Sequence, residues 1–175
     1  MAAGFFQEPG PAATGIPVPA LSRPGLMASL EVTAMLSRTG ERMPREHVWP
    51  EAHWDWPVHL PYKHGNQCGN LIHLGGQVSM DANAVILEPG ALVPQTRTSM
   101  ENIARILAGF GAKLDNIVSV RAFYAGGASP ETLHDNLRVR SASFSEPGPT
   151  TTGIPLPCLA YESMEIEIEV VAMVE

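Results

Sequence analysis

Near the C-terminus three glutamates, Glu165, Glu167 and Glu169, alternate with Ile166, Ile168 and Val170. Alternation of this kind marks a strand with one acidic and one apolar face. A carboxylate carried by such a strand into a partly dry cleft has its pKa raised toward use as a general base; on an open face it is merely solvated. Arg121 lies in a second alternating stretch and can pair with a carboxylate such as Glu165 or Glu169. His53, His59, His64 and His73 fall within 21 residues, which invites a metal reading, but no H-x-H or HExxH spacing supports one, so no metal is expected. Cys158 would need an adjacent histidine or cation to act as a nucleophile, and loop packing is its expected role. No cofactor is expected.

The elements that must carry these residues are legible from periodicity. Residues 70–78 (NLIHLGGQV) read as a strand interrupted by Gly75 and Gly76, a bulge or a close backbone approach. After Pro94 the period changes: Met100, Ile103, Leu107 and Phe110 share one helical face, with Thr96 or Thr98 as N-cap and Gly109 or Gly111 to end it. Residues 116–124 alternate as a strand. Ser129, Pro130 and Glu131 then supply a cap, a first-turn proline and an early acid for a helix running to about residue 143. The order strand, strand, helix, strand, helix, strand, strand predicts an α+β fold, with a mixed sheet and two helices packed on one face.

A chain of 175 residues holds about one domain. With 45% hydrophobic and 17% charged residues it has the material for a core, which excludes wholesale disorder. A net charge of −7 with only 11 Lys plus Arg excludes a surface built to neutralise nucleic-acid phosphates. Two cysteines, Cys68 and Cys158, form no CxxC and are too few for a disulfide framework, and no signal-like or membrane-length apolar run is visible. A soluble, cytoplasmic protein is expected, with neither nucleic acid nor membrane as partner.

Within that single-domain length the chain repeats itself. Residues 5–36 align without gaps to 143–174, identical at 15 of 32 positions, including Glu8/Glu146, Pro9/Pro147, Gly15/Gly153, Ile16/Ile154, Pro17/Pro155, Glu31/Glu169 and Met35/Met173. Each copy runs from a Pro/Gly turn through TxGIPxP and a polar loop to a strand. The first copy has Ser29 where the second has Glu167, so it cannot do whatever that carboxylate does. The remainder of a unit occurs once. Residues 1–36 are therefore read as the C-terminal half of a second domain, 37–53 as a linker, and 54–175 as one complete domain. A half-domain leaves a strand edge and an apolar face uncovered. Residues 5–36 are expected to pack on a subunit of an oligomer or to be poorly ordered.

Pro61-Tyr62, GNLIHLGGQVSMD, the stretch QTRTSMENIARILAGFGAKLDNIVSVRAFY, EPGPTTTGIP and IEIEVVA occur in an order and at a spacing that resemble the Rid/YjgF family, also called the endoribonuclease L-PSP or enamine/imine deaminase family. The resemblance covers about residues 61–175. It implies a chorismate-mutase-like α+β fold, a homotrimer, and small-molecule sites in clefts between subunits. The best-characterised members hydrolyse reactive enamines and imines to keto acids and ammonia. In them an arginine salt-bridges the substrate carboxylate, a tyrosine near the first strand lines the pocket, and a glutamate on the last strand positions water. Carried over by position, the tyrosine is Tyr62, the glutamate Glu167, and the Gly-Gln after the first strand is Gly76-Gln77.

The arginine does not carry over. Pro149 stands in its place before Thr150-Thr151, and Pro11 in the first copy. Neither proline nor threonine imitates the bidentate fork of a guanidinium, and loss of a charge-assisted pair costs a few kcal/mol. Amino-acid-derived enamines are thus expected to be poor substrates. Lys63 and His64, or Arg121, are the candidate replacements; surface basicity and pairing with strand carboxylates are the plain alternatives. The expected intersubunit pocket comprises Tyr62, Lys63, His64, Gly76, Gln77, Thr150, Thr151 and Glu167, with Glu167 and Tyr62 catalytic and Arg121 a further binding candidate. Two functions remain open: a deaminase or hydrolase acting on an imine, enamine or related C–N bond, and a non-catalytic metabolite-binding or structural module. Ribonuclease activity is disfavoured by the acidic charge and the lack of a basic aromatic groove.

Overall fold

The computed structural model describes residue 6, residues 9–127 and residues 129–175. The Glu8 member of the identical repeat pairs, Phe5 and the first residues of the chain lie outside the described residues. Six strands form one sheet: β1 (Glu46–Val48), β2 (Gly65–Cys68), β3 (Leu71–Gln77), β4 (Ile117–Ala125), β5 (Thr150–Leu156) and β6 (Ile166–Met173), in the order β1-β2-β3-β6-β4-β5. Only β4 and β5 pair in parallel. The crossover between them carries α2 (Pro130–Ser141), while α1 (Leu92–Gly109) lies between β3 and β4 in sequence. The result is the α+β fold read from the sequence, a mixed sheet with two helices.

Alternation decides which side chains reach the core. Ile166, Ile168, Val170 and Ala172 of β6 join Ile72 and Leu74 of β3 and Val120 and Ala122 of β4 in one buried cluster with Met100, Ile103, Ile106 and Leu107 of α1. Burial of each large aliphatic side chain contributes about 2 kcal/mol. A second cluster gathers Trp54, Val78, Met80, Phe123, Leu156, Leu159 and Met164, with Ile16 of the first repeat packed against it. Trp54 is thus a core residue.

Three boundaries differ from the sequence reading. Helix α1 begins at Leu92, with Ala91 as a cap that makes no side-chain bond. Thr96 sits inside the helix, and its hydroxyl donates to the Leu92 carbonyl at 2.7 Å. Pro94 falls in the first turn, where a missing N–H costs nothing, so periodicity begins before it. Helix α2 is capped as expected: the Ser129 hydroxyl accepts from the Thr132 N–H at 3.2 Å, with Pro130 following. The stretch expected as a linker, 37–53, contains β1, which pairs with β2. The strand expected in the first repeat, 28–36, does not form. Residues 27–35 have no assigned element, and Met27 and Leu30 are 94% and 89% exposed. In β6 the same pattern is a strand because β3 and β4 flank it; the first copy has no such neighbours.

Candidate functional site

Glu167 lies in the middle of the sheet, with β3 on one side of β6 and β4 on the other. It is opposite Phe123, on the face turned away from the helices, because Ile166 and Ile168 point into the helix-side core. The residue is 2% exposed, and among the described residues its Oε1 has no hydrogen-bond partner. Burial, and then the negative charge of Glu169, push its pKa up to about 8. An edge-strand carboxylate would have been solvated; a central one is stripped of water, and its charged form becomes costly. The carboxyl group lies against the backbone of Gly76, where a Cβ would collide with Glu167 Oε1. The Gly75-Gly76 interruption is therefore a close approach, and the β3–β6 register shifts between Leu74 and Gln77.

The first repeat reaches this place. The Gly10 N–H donates to the Pro61 carbonyl at 2.8 Å and the Lys63 N–H to the Pro11 carbonyl at 3.1 Å. Ala12 bridges Lys63 in parallel. The Ala13 carbonyl fills the space a Cβ would need on Gly75, and the Gly76 N–H donates to the Thr14 hydroxyl at 3.0 Å. Tyr62 meets Phe6, with ring centroids 6.2 Å apart. Tyr62, Lys63, Gly76 and Glu167 thus border one region, joined by residues 10–14. The Lys63 ammonium lies 5.7 Å from the Trp49 ring centroid, a cation–π contact.

His64 and Gln77 belong to a different assembly. Gln77 pairs with Ile168, whose side chain is in the helix-side core, so its side chain leaves the sheet on the face opposite Glu167. Its oxygen accepts from Trp54 Nε1–H at 3.1 Å and His53 Nε2–H at 3.0 Å. Its nitrogen donates to the Gly75 carbonyl at 3.1 Å and to His64 Nδ1 at 3.3 Å. His64 then donates from Nε2 to the Trp54 carbonyl at 2.8 Å. Every donor and acceptor site of the amide is used. Burial, followed by the His53 and Lys63 charges, lowers the His64 pKa to about 3, although its bond to Trp54 acts the other way. His64 is neutral near pH 7, hence not a substitute cation, and Gln77 is a structural node.

Arg121 is half-exposed and committed to carboxylates: Glu169 at 2.9 Å and, at 3.9 Å, Glu31 of the first repeat. Glu31 and Glu169 are equivalent positions of the two copies, and both face the same guanidinium. Thr150 and Thr151 lie on β5, two strands from β6 and three to four residues along the sheet from Glu167, which sets them roughly 14 to 17 Å from it in the same chain. Cys158 is exposed, in contrast to the expected packing, and Cys68 is buried.

One residue escaped the sequence reading. Arg140, at the end of α2, is 4% exposed. Its Nε–H donates to Asn136 Oδ1 at 3.0 Å and its Nη1–H to the Thr151 hydroxyl at 3.2 Å. Asn136 in turn donates to the Thr96 hydroxyl of α1. This polar chain ties α1, α2 and β5 together. Burial lowers the Arg140 pKa, yet a guanidinium stays charged. It lines a cavity of about 240 Å³ with Glu146, Gly148, Pro149 and Thr151. A guanidinium therefore stands behind the segment that holds Pro149. The only sequence signal was the Asn136/Arg140 spacing of four on a helix.

Comparisons with known proteins agree with this fold. The chain is 24% identical over 115 residues to a 2-iminobutanoate/2-iminopropanoate deaminase of Dermatophagoides farinae, covering 66% of this chain and 87% of the relative. It is 30% identical over 115 residues to the mitochondrial protein mmf2 of Schizosaccharomyces pombe, covering 64% and 86%. The fold superimposes on the crystal structure of RidA from the Antarctic bacterium Psychrobacter sp. PAMC 21119 with a TM-score of 0.63 at 19% identity, covering 74% of this chain and 99% of that one. Residues 56–174, which hold every element except β1, match the family model described as Endoribonuclease L-PSP, and the chain belongs to that family, the Rid/YjgF proteins.

Proposed function

We propose that the protein hydrolyses an imine, enamine or related C–N bond at a pocket between subunits of a homotrimer, with Glu167 as the proton-transferring group. The buried, unpartnered carboxyl oxygen of Glu167, with its raised pKa, is the observation that carries this reading. With a pKa of about 8 the group is mostly protonated near pH 7, so it acts first as an acid. It donates its proton to the imine nitrogen, which makes the carbon more electrophilic. The carboxylate so formed takes a proton from water as the water oxygen bonds to that carbon. The acid then returns a proton to the nitrogen of the carbinolamine, the carboxylate accepts the hydroxyl proton, and the C–N bond breaks to give a carbonyl compound and ammonia.

Gly76 N–H, held by Thr14 in this conformation, is the donor for a ligand oxygen, and Tyr62 lines the pocket. Thr150 and Thr151, distant from Glu167 in their own chain, enter from the neighbouring subunit. Arg140 is a positioning residue that fixes the Thr151 hydroxyl. The missing arginine at Pro149 favours a second reading, a metabolite-binding module without catalysis. Ammonia release from a panel of imines, with and without a carboxylate, decides between them. A rate that falls at least about 100-fold in Glu167→Gln supports hydrolysis; ligand binding with no Glu167-dependent ammonia release leaves the binding module. The acidic charge argues against an RNA substrate. Among the described residues no helix is long and apolar enough to cross a membrane. The proposed setting is the cytoplasm, where Cys68 and Cys158 remain thiols.

A further inference from the structure

The place against Pro61 and Gly76 is filled by the first repeat, and the second repeat carries the same contact residues at the same spacing. Gly10, Pro11 and Thr14 supply the three hydrogen-bonding groups; they recur as Gly148, Pro149 and Thr152. The second set is available. Strand β5 ends the sheet, and Gly148 and residues 150–153 are exposed. An edge strand is a template for pairing with another chain.

The two glycines discriminate further. A Cβ on Gly10 would strike the Pro61 carbonyl, so the docked segment needs glycine there. A Cβ on Gly148 would meet only Phe144, at 3.8 Å, and Gly148 is not among the glycines of positive φ. Its own chain gives no reason for glycine at 148. A second chain does, if Gly148 takes the place of Gly10 against Pro61.

We propose that the groove formed by Pro61, Lys63 and Gly76 is a dock shared by two occupants: the chain's own first repeat in cis, and the second repeat of another copy of this chain in trans. They exclude each other. The cis occupant is also chemically blank. Ala12 and Ala13 stand where the trans occupant has Thr150 and Thr151, and Ser29 where it has Glu167. The first repeat therefore holds the site closed without the hydroxyls that a neighbouring subunit brings, and its release is what lets subunits join. Past the docked residues the repeat is loosely placed: residues 27–35 have no assigned element, and Met27 and Leu30 are almost fully exposed. The association rests on the repeat and the dock, not on the chemistry at Glu167, so a failure to release ammonia leaves it standing.

Sedimentation velocity of the full-length chain across a concentration series tests this, with Gly10→Val, Gly148→Val and the double variant. A dock closed nine-tenths of the time weakens apparent association about tenfold. Gly10→Val should therefore tighten self-association about tenfold or more, and Gly148→Val should abolish it in either background. Thr14→Val, which removes only the bond to Gly76, should act in the same direction as Gly10→Val by a smaller factor and guards against a folding defect in the larger change. Unchanged association in both Gly10→Val and Thr14→Val overturns the proposal, as does a Gly10→Val assembly that survives addition of Gly148→Val.

Discussion

Replacing Glu167 by glutamine tests the electrostatics at the centre of the site without reference to any substrate. Its pKa is raised from 4.5 to about 8, so the native state holds the proton more tightly than the unfolded chain does. The contribution is fully favourable below the unfolded value and is lost as pH rises through the folded one, the reverse of an ion-paired carboxylate. A difference of 3.5 in pKa corresponds to an upper limit of about 5 kcal/mol, of which roughly 4 kcal/mol develops between pH 5 and pH 9. Glutamine is close in shape and never ionises. The stability of Glu167→Gln relative to the unchanged protein should therefore rise by roughly 4 kcal/mol across that range. With a urea slope of ~2 kcal/mol per M, the difference between the two unfolding midpoints moves by about 2 M.

The measurement is urea unfolding of both proteins at fixed concentration, because association adds its own stabilisation. Taking the difference removes the histidines, whose contributions run the other way. His64, lowered to about 3, and His53 and His73, also lowered, give stability that is complete above their unfolded pKa near 6.5 and is lost as pH falls toward their folded values. A difference curve that stays flat within ~1 kcal/mol from pH 5 to pH 9 would refute the account. It would mean that water or a cation reaches Glu167 Oε1 and that the carboxyl group is an ordinary acid.

Gly76→Ala should destabilise by about 1 to 3 kcal/mol, because its Cβ runs into the Glu167 carboxyl group; combined with Glu167→Ala the cost should fall well short of the sum, and additivity in urea melts would contradict the contact. Gln77→Leu strands two N–H donors, a ring nitrogen and a carbonyl at once, and should cost more than ~3 kcal/mol by thermal or urea unfolding; a loss below ~1 kcal/mol would show that water replaces the amide. Arg140→Lys keeps the charge but cannot span Asn136 and Thr151 together. It should cost about 1 to 3 kcal/mol and, if hydrolysis is found, raise KM more than it lowers kcat; a fall in kcat alone would place Arg140 at the reacting atoms instead.

The fold was legible where a periodic pattern coincided with its punctuation. Ser129-Pro130 announced α2, and the Glu-Ile alternation announced β6, because each rule acts within a few residues. The same alternation misled in the first repeat, whose residues 28–36 carry the pattern without the flanking strands that make it a strand; β propensity is largely a matter of neighbours. The sheet order had a similar effect on Glu167. Sequence allowed it to be solvated or dry, and only the insertion of β6 between β3 and β4 decides for dry. The pocket reading divides on the same ground. Gly76 and Glu167 meet because two strands place them side by side, whereas Gln77, one residue on, leaves on the other face and becomes part of the fold's framework.

What no local rule could supply is a contact between distant segments of unlike type. Arg140 approaches Thr151 from a helix whose sequence hints at a buried guanidinium only through the Asn136/Arg140 spacing. Its burial is offset by Asn136 Oδ1 and the Thr151 hydroxyl accepting from it, so the charge is carried by hydrogen bonds to neutral groups; among the described residues no carboxylate pairs with it. Beside Pro149, which has no N–H to donate, the Arg140 guanidinium holds the Thr151 hydroxyl, while the Thr150 hydroxyl donates to the Val118 carbonyl. The first repeat carries Pro11 in the same position yet has alanines for those threonines, so an arginine behind it would have nothing to hold. The two copies share the residues by which the first one docks, Gly, Pro and the last Thr, and differ at Ala12/Thr150, Ala13/Thr151 and Ser29/Glu167. That division is expected of a segment retained for its fit to the dock and not for chemistry.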